Sequence, residues 1–187
     1  MKEALRRTGL LPPNDEFFTP RNAVLPLLEY LETDRHPPSC REFPGDGNKI
    51  IYWEPCATGG KSGIASAMRE YDYAVIATEY EKLDFLTDEP DFDFDVIVTN
   101  PPYSQKDAFI RRCYELGKPW AMLMPITALE GITRGDLFRE HGVELLVLDR
   151  RVQFQNGKKG CWFNTSWFCH GLLPDRLVFG KLEGDSR

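Results

Sequence analysis

Segments whose apolar residues have the spacing of a helix alternate along the chain with segments whose apolar residues have the pattern of a strand. Thr19 and Pro20 suit the cap and first turn of a helix over residues 20–33, in which apolar residues recur at helical spacing: Val24, Leu27, Leu28 and Leu31. The β-branched run at residues 96–98 predicts a strand buried on both faces. Further strands are predicted at residues 49–53, 73–78, 119–124 and 143–148. Further helices are predicted from a glycine-rich turn to about residue 70, at residues 106–117, and as one or two short helices within 126–141.

This order of elements predicts one α/β domain over residues 1–187, built on a mostly parallel sheet. Strand, glycine turn and helix over residues 49–70 form the opening unit of a nucleotide-binding sheet. Glu79 to Asp84 span six residues, too few for another helix and strand, so we expect this side of the sheet to be abbreviated. The aromatic tail at residues 161–173 is expected to return as an antiparallel hairpin strand.

The glycine turn at residues 54–63 has three interpretations. Lys61-Ser62 fits the end of a phosphate-binding P-loop, but Pro55 occupies the place of the first glycine of that pattern. A dinucleotide fingerprint also fails, because Gly59, Gly60 and Gly63 do not have its spacing. The third interpretation is a loop that passes close under a nucleoside, with Glu54 at the strand end and glycines that allow the backbone to approach the ligand.

A rigid segment, Asn100-Pro101-Pro102-Tyr103, follows the strand at residues 96–98. The prolines fix the backbone and cannot extend the sheet, so the segment forms an elbow at the carboxyl end of a strand, where ligands of α/β sheets bind. The Asn100 side-chain oxygen and the Pro101 carbonyl can accept two amine hydrogens, and Tyr103 can stack on a planar ring. The alternative is a proline turn with a helix-capping Asn.

The net charge of −6 is concentrated in one segment. Residues 79–95 contain eight acids against Lys82 alone, a charge of −7, so the remainder of the chain carries +1. The most basic run is at residues 149–160, where a polyanion can approach, although a solvated surface loop explains this run equally well.

Five widely spaced cysteines indicate free thiols rather than a disulfide framework. Cys161, Cys169 and His170 lack the paired spacing of a zinc site, so no metal is expected. The sequence has no signal-peptide pattern and no run long enough to span a membrane, so a cytoplasmic location is expected.

In their order along the chain, several of these motifs resemble those of S-adenosylmethionine-dependent N6-adenine DNA methyltransferases, especially compact phage-type enzymes. The matching segments are Phe18-Thr19-Pro20, Glu54-Pro55-Cys56-Ala57, Glu79, Asp84-Phe85-Leu86 and Asn100-Pro101-Pro102-Tyr103. The resemblance covers roughly residues 15–130. It implies a Rossmann-like class I methyltransferase fold, doubly wound, with S-adenosylmethionine as the cofactor and the host cytoplasm as the location if the chain is phage-encoded. Asn-Pro-Pro-Tyr alone is shared with glutamine and guanine-N2 methyltransferases, and the other motifs favour adenine.

The resemblance also implies a role for each matching residue. Asn100, Pro101, Pro102 and Tyr103 are expected to hold the target base, with Asn100 also next to the cofactor. The residues expected to bind the cofactor are Phe18, Thr19, Pro20, Glu54, Cys56, Ala57, Gly59, Glu79, Asp84 and Phe85. One departure from the family pattern is Thr58, which occupies the place of the first glycine in Glu-Pro-x-x-Gly-x-Gly.

The polymer that carries the base has to be inferred separately. Candidates for phosphate contacts are Arg134, Arg150, Arg151, Lys158 and Lys159. Trp162 and Trp167 can stack on bases, although aromatic residues in such a tail are more often core. Because only about fifty residues follow Pro125 and the helices after it, we expect no separate target-recognition domain, and we expect a monomer or a homodimer. The alternatives to DNA adenine are RNA adenine, protein glutamine, or a catalytically silent module that binds nucleic acid.

Overall fold

The computed structural model describes residues 18–31, 49–154 and 163–182. In these ranges the helices are α1 (Arg21–Leu31), α2 (Gly63–Glu70), α3 (Lys106–Leu116) and α4 (Ile132–His141). The strands are β1 (Ile51–Ala57), β2 (Ala74–Glu79), β3 (Val96–Thr99), β4 (Trp120–Pro125), β5 (Glu144–Leu148), β6 (Thr165–His170) and β7 (Leu177–Gly180). Short 3-10 helices at Tyr103–Gln105 and Ile126–Leu129 follow β3 and β4.

The strands form one seven-stranded sheet in the order β2-β1-β3-β4-β6-β5-β7. β6 is antiparallel to both of its neighbours, β4 and β5, and the other pairings in the sheet are parallel. The sequence therefore predicts correctly a mostly parallel sheet with an antiparallel strand from the C-terminal segment.

Helices cover both faces of the sheet, because successive strand residues point to opposite sides. In β3, Val96 and Val98 belong to the core under α1 and α2, whereas Ile97 belongs to the core under α3 and α4. The indole of Trp167 is fully buried and donates a hydrogen bond from Nε1 to the Ala23 carbonyl at 2.8 Å, which attaches α1 to the sheet. Trp167 is thus a core residue, and Trp162 lies outside the described residues.

The predicted elements are present with small shifts in their ends, and β1 shows the largest difference. It continues past the predicted end at residue 53, through Glu54 and Pro55, to Ala57. The register against β2 shifts by one residue between Glu54 and Ala57. Such a bulge is one of the few places in an inner strand that tolerates a proline, which has no N–H to donate.

Residues 80–95 contain turns and bends but no helix or strand, so the abbreviated connection after Glu79 is confirmed. The chain passes from β1 to β2 on one side and then returns to β3 on the other side of β1. Such a reversal opens a crevice between the carboxyl ends of the two strands, the usual ligand position in an open α/β sheet. Glu54 and Asn100 lie at this crevice.

The C-terminal part of the sheet has one strand that the sequence pattern does not predict. β7 has only four residues and follows a turn containing Pro174, Asp175 and Arg176. The Glu144 carboxylate secures this turn, since it accepts hydrogen bonds at 2.9 to 3.0 Å from the backbone N–H groups of residues 171–173. Among the described cysteines, Cys56, Cys113 and Cys169 are free thiols. None of the helices in the described ranges has the length and apolar character to cross a membrane.

Candidate active site

A cavity of about 220 Å³ opens at the carboxyl ends of β1, β2 and β3. It is lined by many of the residues that the motifs single out: Phe18, Thr19, Glu54, Cys56, Ala57, Asp84, Phe85, Asn100 and Pro102. These residues come from four separate segments of the chain. The cavity therefore brings the predicted cofactor residues and the predicted base-holding loop to one place.

Other motif residues lie beside the cavity rather than in its lining: Pro20, Gly59, Glu79, Pro101 and Tyr103. Tyr103 is 9% exposed, and its ring meets the edge of Phe163 with the centroids 5.6 Å apart. Glu79 ends β2, and its Oε1 lies 3.2 Å from the Lys82 ammonium. Tyr103 therefore packs outside the lining, next to the lining residue Pro102.

Glu54 is a buried carboxyl group, 2% exposed, that joins β1 to β3 and α2. Its Oε1 accepts hydrogen bonds from Thr99 Oγ1 at 2.8 Å and from the Cys56 backbone N–H at 2.9 Å. Its Oε2 accepts a hydrogen bond from Ser62 Oγ at 2.9 Å. Ser62 also caps α2, because its Oγ accepts a hydrogen bond from the Ala65 backbone N–H at 3.2 Å.

Burial raises the pKa of the Glu54 carboxyl to about 7, against the opposing effect of its three hydrogen bonds. The neutral form also fits these contacts, because a protonated Oε2 can donate to Ser62 Oγ while Oε1 accepts from Thr99 and Cys56. Glu54 therefore changes its charge in the neutral pH range, at the inner wall of the cavity.

The glycine turn is a β-hairpin with a two-residue loop rather than a P-loop. Thr58 and Lys61 exchange two backbone hydrogen bonds, at 2.9 and 3.1 Å. Gly59 and Gly60 between them have φ values of +57° and +74°, which glycine adopts without steric strain. Thr58, in the place of the family's first glycine, is thus the start of a tight turn.

Gly63, the first residue of α2, allows close contact with the N-terminal segment. A Cβ at this position would lie 1.9 Å from the Thr19 carbonyl oxygen. Thr19 is 3% exposed, and its Oγ1 accepts a hydrogen bond from Asn100 Nδ2 at 3.0 Å. The start of α2 therefore contacts the Phe-Thr-Pro segment, and that segment contacts the Asn-Pro-Pro-Tyr loop.

The wall at the other end of the cavity is aromatic. The Phe85 ring stacks on Phe109 with the centroids 4.8 Å apart and packs against Trp53 at 5.2 Å. Arg112 Nε donates a hydrogen bond to the Phe85 carbonyl at 3.3 Å, and the Asp84 carboxylate accepts one from the Leu86 N–H at 3.0 Å. This wall suits a flat ring.

Several lining residues are absent from the motif-based prediction: Pro55, Thr58, Lys61, Ser62, Gly63, Tyr80, Gln105 and Phe109. For some of them, a position at the end of a strand or the start of a helix indicates that they lie near the cavity. Tyr80 directly follows the carboxyl end of β2, and Gln105 and Phe109 are one helical turn apart where α3 begins. No residue type at these positions indicates a ligand by itself.

The candidate phosphate-binding residues differ in their surroundings. The Arg134 side chain is 12% exposed and donates hydrogen bonds to Asp107 Oδ1, to the Glu130 carbonyl and, at 2.7 Å, to the Ala128 carbonyl. Its guanidinium therefore holds the loop before α4. Arg150 and Arg151 are exposed. Lys158 and Lys159 lie outside the described residues.

The overall fold of this chain is similar to that of a solved structure. A modification subunit of a putative type I restriction enzyme from Vibrio vulnificus YJ016 matches 100% of this chain with a TM-score of 0.50 and 14% sequence identity. The fold is a Rossmann-like methyltransferase fold. The predicted fold class is therefore confirmed. This chain spans 51% of that subunit, about half its length.

Other comparisons add little to this result. A putative methyltransferase from Thermoplasma acidophilum has a TM-score of 0.32 and 11% identity, and the match covers 71% of each chain. That similarity is too low to support an argument. No protein-family model matches the sequence, and no curated protein has significant similarity to it. The Rossmann-like methyltransferase fold thus rests on the three-dimensional arrangement.

We expect Glu54→Gln to flatten the pH dependence of the free energy of unfolding. The folded-state pKa of about 7 lies above the ordinary value of 4.5, so the bound proton stabilises the folded protein. This stabilisation is fully present below about pH 4.5 and is lost as the pH rises through about 7. It amounts to at most about 3 kcal/mol. Urea unfolding from pH 4.5 to 8 measures it.

Glu115→Gln, at an exposed site on α3, serves as the matched control and should leave the pH dependence unchanged. Parallel curves for the wild type and Glu54→Gln would show that Glu54 does not titrate in this range.

We expect Gly63→Ala to destabilise the protein more than Gly59→Ala. The added methyl at residue 63 meets the Thr19 carbonyl, whereas a Cβ at residue 59 has nothing within 4 Å and suffers only from its positive φ. Overpacking costs about 1–3 kcal/mol, against about 1 kcal/mol for the strained turn. Urea unfolding of both variants gives the comparison, and an equal or smaller loss at residue 63 would contradict the close contact.

Proposed function

We propose that this protein transfers a methyl group from S-adenosylmethionine to the N6 amine of adenine in DNA. The observation that carries the proposal is the single cavity in which Asn100 and Pro102 meet Phe18, Thr19, Glu54, Asp84 and Phe85. The fold alone does not select a reaction. The choice of activity depends on these residues and on the motif resemblance.

The lining has groups that suit the cofactor. The Asp84 carboxylate can accept hydrogen bonds from hydroxyl groups, and the aromatic wall at Phe85 and Phe109 suits the adenine ring. The glycine turn lets the backbone approach the ligand at the end of β1. The residues present therefore fit this cofactor.

When bound, the cofactor supplies an electrophilic methyl group on a sulfonium. The Asn100 side-chain oxygen and the carbonyl of Pro101, which lies between the lining residues Asn100 and Pro102, would accept the two hydrogens of the target amine and orient its nitrogen lone pair toward the methyl group. The reaction would replace one amine hydrogen with the methyl group, and the released proton would pass to water. Orienting the two substrates in line supplies about 7–11 kcal/mol, and no covalent nucleophile is required.

The Asn100 hydrogen bond to Thr19 supports this mechanism. It restrains the amide on which the target amine depends, and it connects that amide to the segment expected to touch the cofactor. The base must leave the duplex, or come from a single strand, to reach such a pocket.

We expect incubation with DNA and radiolabelled S-adenosylmethionine to yield N6-methyladenine after nucleoside digestion. Asn100→Ala removes an amine acceptor and should reduce kcat by about a hundredfold or more. Its affinity for S-adenosylhomocysteine in calorimetry and its free energy of unfolding serve as controls for a general loss of structure. Label found only in RNA would indicate an RNA adenine substrate, and label only in protein a glutamine substrate. Either result would reject the DNA assignment, and absence of cofactor binding would favour a silent module.

We expect neutralisation of Arg150 and Arg151 to Gln to weaken DNA binding alike on all sequences. Within the described residues, Arg150 Nε lies 3.7 Å from Asp149 and Arg151 Nε donates a hydrogen bond to Asn164 at 3.1 Å, and both side chains are exposed, so we expect both to be accessible to a polyanion. Loss of two phosphate contacts should reduce the slope of log K against log salt by about 1 to 2. Fluorescence anisotropy over a salt series measures this slope.

Arg111→Gln on α3 combined with Lys118→Gln removes the same charge from other exposed sites and provides the control. Unchanged affinity in the double variant would exclude Arg150 and Arg151 from the interface.

A further inference from the structure

Lys61 is the basic side chain in the wall of the cavity. The other charged residues in that lining are the acids Glu54 and Asp84. The motif resemblance gives Lys61 no role, because the family pattern has no lysine requirement at this place. Its position in the wall calls for a separate explanation.

The backbone of Lys61 is fixed by the glycine turn. Two hydrogen bonds with Thr58 close the turn, and the positive φ values of Gly59 and Gly60 allow the chain to reverse within two residues. The turn returns the chain to the cavity at Lys61 immediately after it has left the cavity at Thr58. The turn therefore places Lys61 in the cavity lining.

This ammonium forms no ion pair with any carboxylate in residues 18–31, 49–154 and 163–182. The nearest acid in sequence, Glu54, already accepts three hydrogen bonds from Thr99, Cys56 and Ser62. Lys82, in the neighbouring turn, does pair with Glu79 at 3.2 Å. Among the described residues, the charge of Lys61 thus has no carboxylate partner, whereas Lys82 is paired with Glu79.

We propose that Lys61 binds the carboxylate at the amino-acid end of the cofactor, an inference that rests on the proposed function. The cofactor carries an ammonium, a sulfonium and a carboxylate. Lys61 is the basic residue of the lining, so its charge suits the carboxylate. The next residues, Ser62 and Gly63, begin α2, so the positive end of the helix dipole adds to the same potential.

A DNA phosphate has the same attraction to an ammonium group, and it is the alternative source of the anion. The cavity wall favours the cofactor, because Lys61 shares that wall with Glu54 and Phe85 rather than with Arg150 or Arg151. If the anion is the cofactor carboxylate, a change at Lys61 alters cofactor affinity. If it is a DNA phosphate, the same change alters DNA affinity.

The test measures calorimetric affinities of wild type and Lys61→Met for two probes, S-adenosylhomocysteine and its decarboxylated analogue. Methionine keeps the apolar stem and removes the charge. We expect Lys61→Met to bind S-adenosylhomocysteine about tenfold more weakly, as befits a charged hydrogen bond from an exposed lysine. The decarboxylated analogue should bind both proteins equally. Lys61→Arg should retain most of the affinity for S-adenosylhomocysteine.

Lys118→Met removes a lysine from an exposed site outside the cavity lining and should leave both affinities unchanged. Equal weakening of the two probes by Lys61→Met would show that the residue acts through the turn rather than on the carboxylate, and would overturn the proposal. Normal probe binding with weaker, less salt-dependent DNA binding would assign Lys61 to a phosphate and also overturn it. If the wild type binds S-adenosylhomocysteine but methylates no DNA, the DNA assignment fails while the Lys61 result still stands. Failure of the wild type to bind either probe would reject both.

Discussion

The Glu54 carboxyl accepts hydrogen bonds from three segments that are far apart in the chain or turn sharply beside it: the end of β3, the bulge of β1 and the cap of α2. An acid with 2% exposure is costly to bury, and its partners offset that cost only in one arrangement. The crevice between β1 and β3 therefore has a defined width. A change in the Glu54 contacts would alter the cavity before it altered the sheet.

From this carboxyl a series of contacts extends to the loop proposed to hold the base. Ser62 binds Glu54 and caps α2, Gly63 admits the Thr19 backbone, and Thr19 accepts the hydrogen bond of Asn100. The N-terminal segment is thus part of the site's structure, although it is distant in sequence from the other motifs.

The sequence predicts much of this arrangement because strand ends and prolines have strong local signals. The helix α3, the strands β3 and β4 and the elbow at Asn100 follow from apolar runs and backbone restrictions alone. Tertiary contacts decide the remainder. The burial of Tyr103 against Phe163, the use of Arg134 within its own loop and the pairing of β7 all depend on residues distant in sequence. The positions of the glycines in the turn are likewise explained only by the pairing of Thr58 with Lys61.

The position of β6 determines the order in which the sheet can be completed. β5 precedes β6 in the chain, yet in the described sheet it pairs with β6 and β7 only, and β6 separates it from β4. As the chain emerges during synthesis, β1 to β4 can associate and form the crevice while β5 is still an unpaired apolar strand. β5 is paired only when β6 and β7, within residues 165–180, have been made. The half of the sheet that carries the cavity can therefore form first, and the last strands made protect the edge that remains.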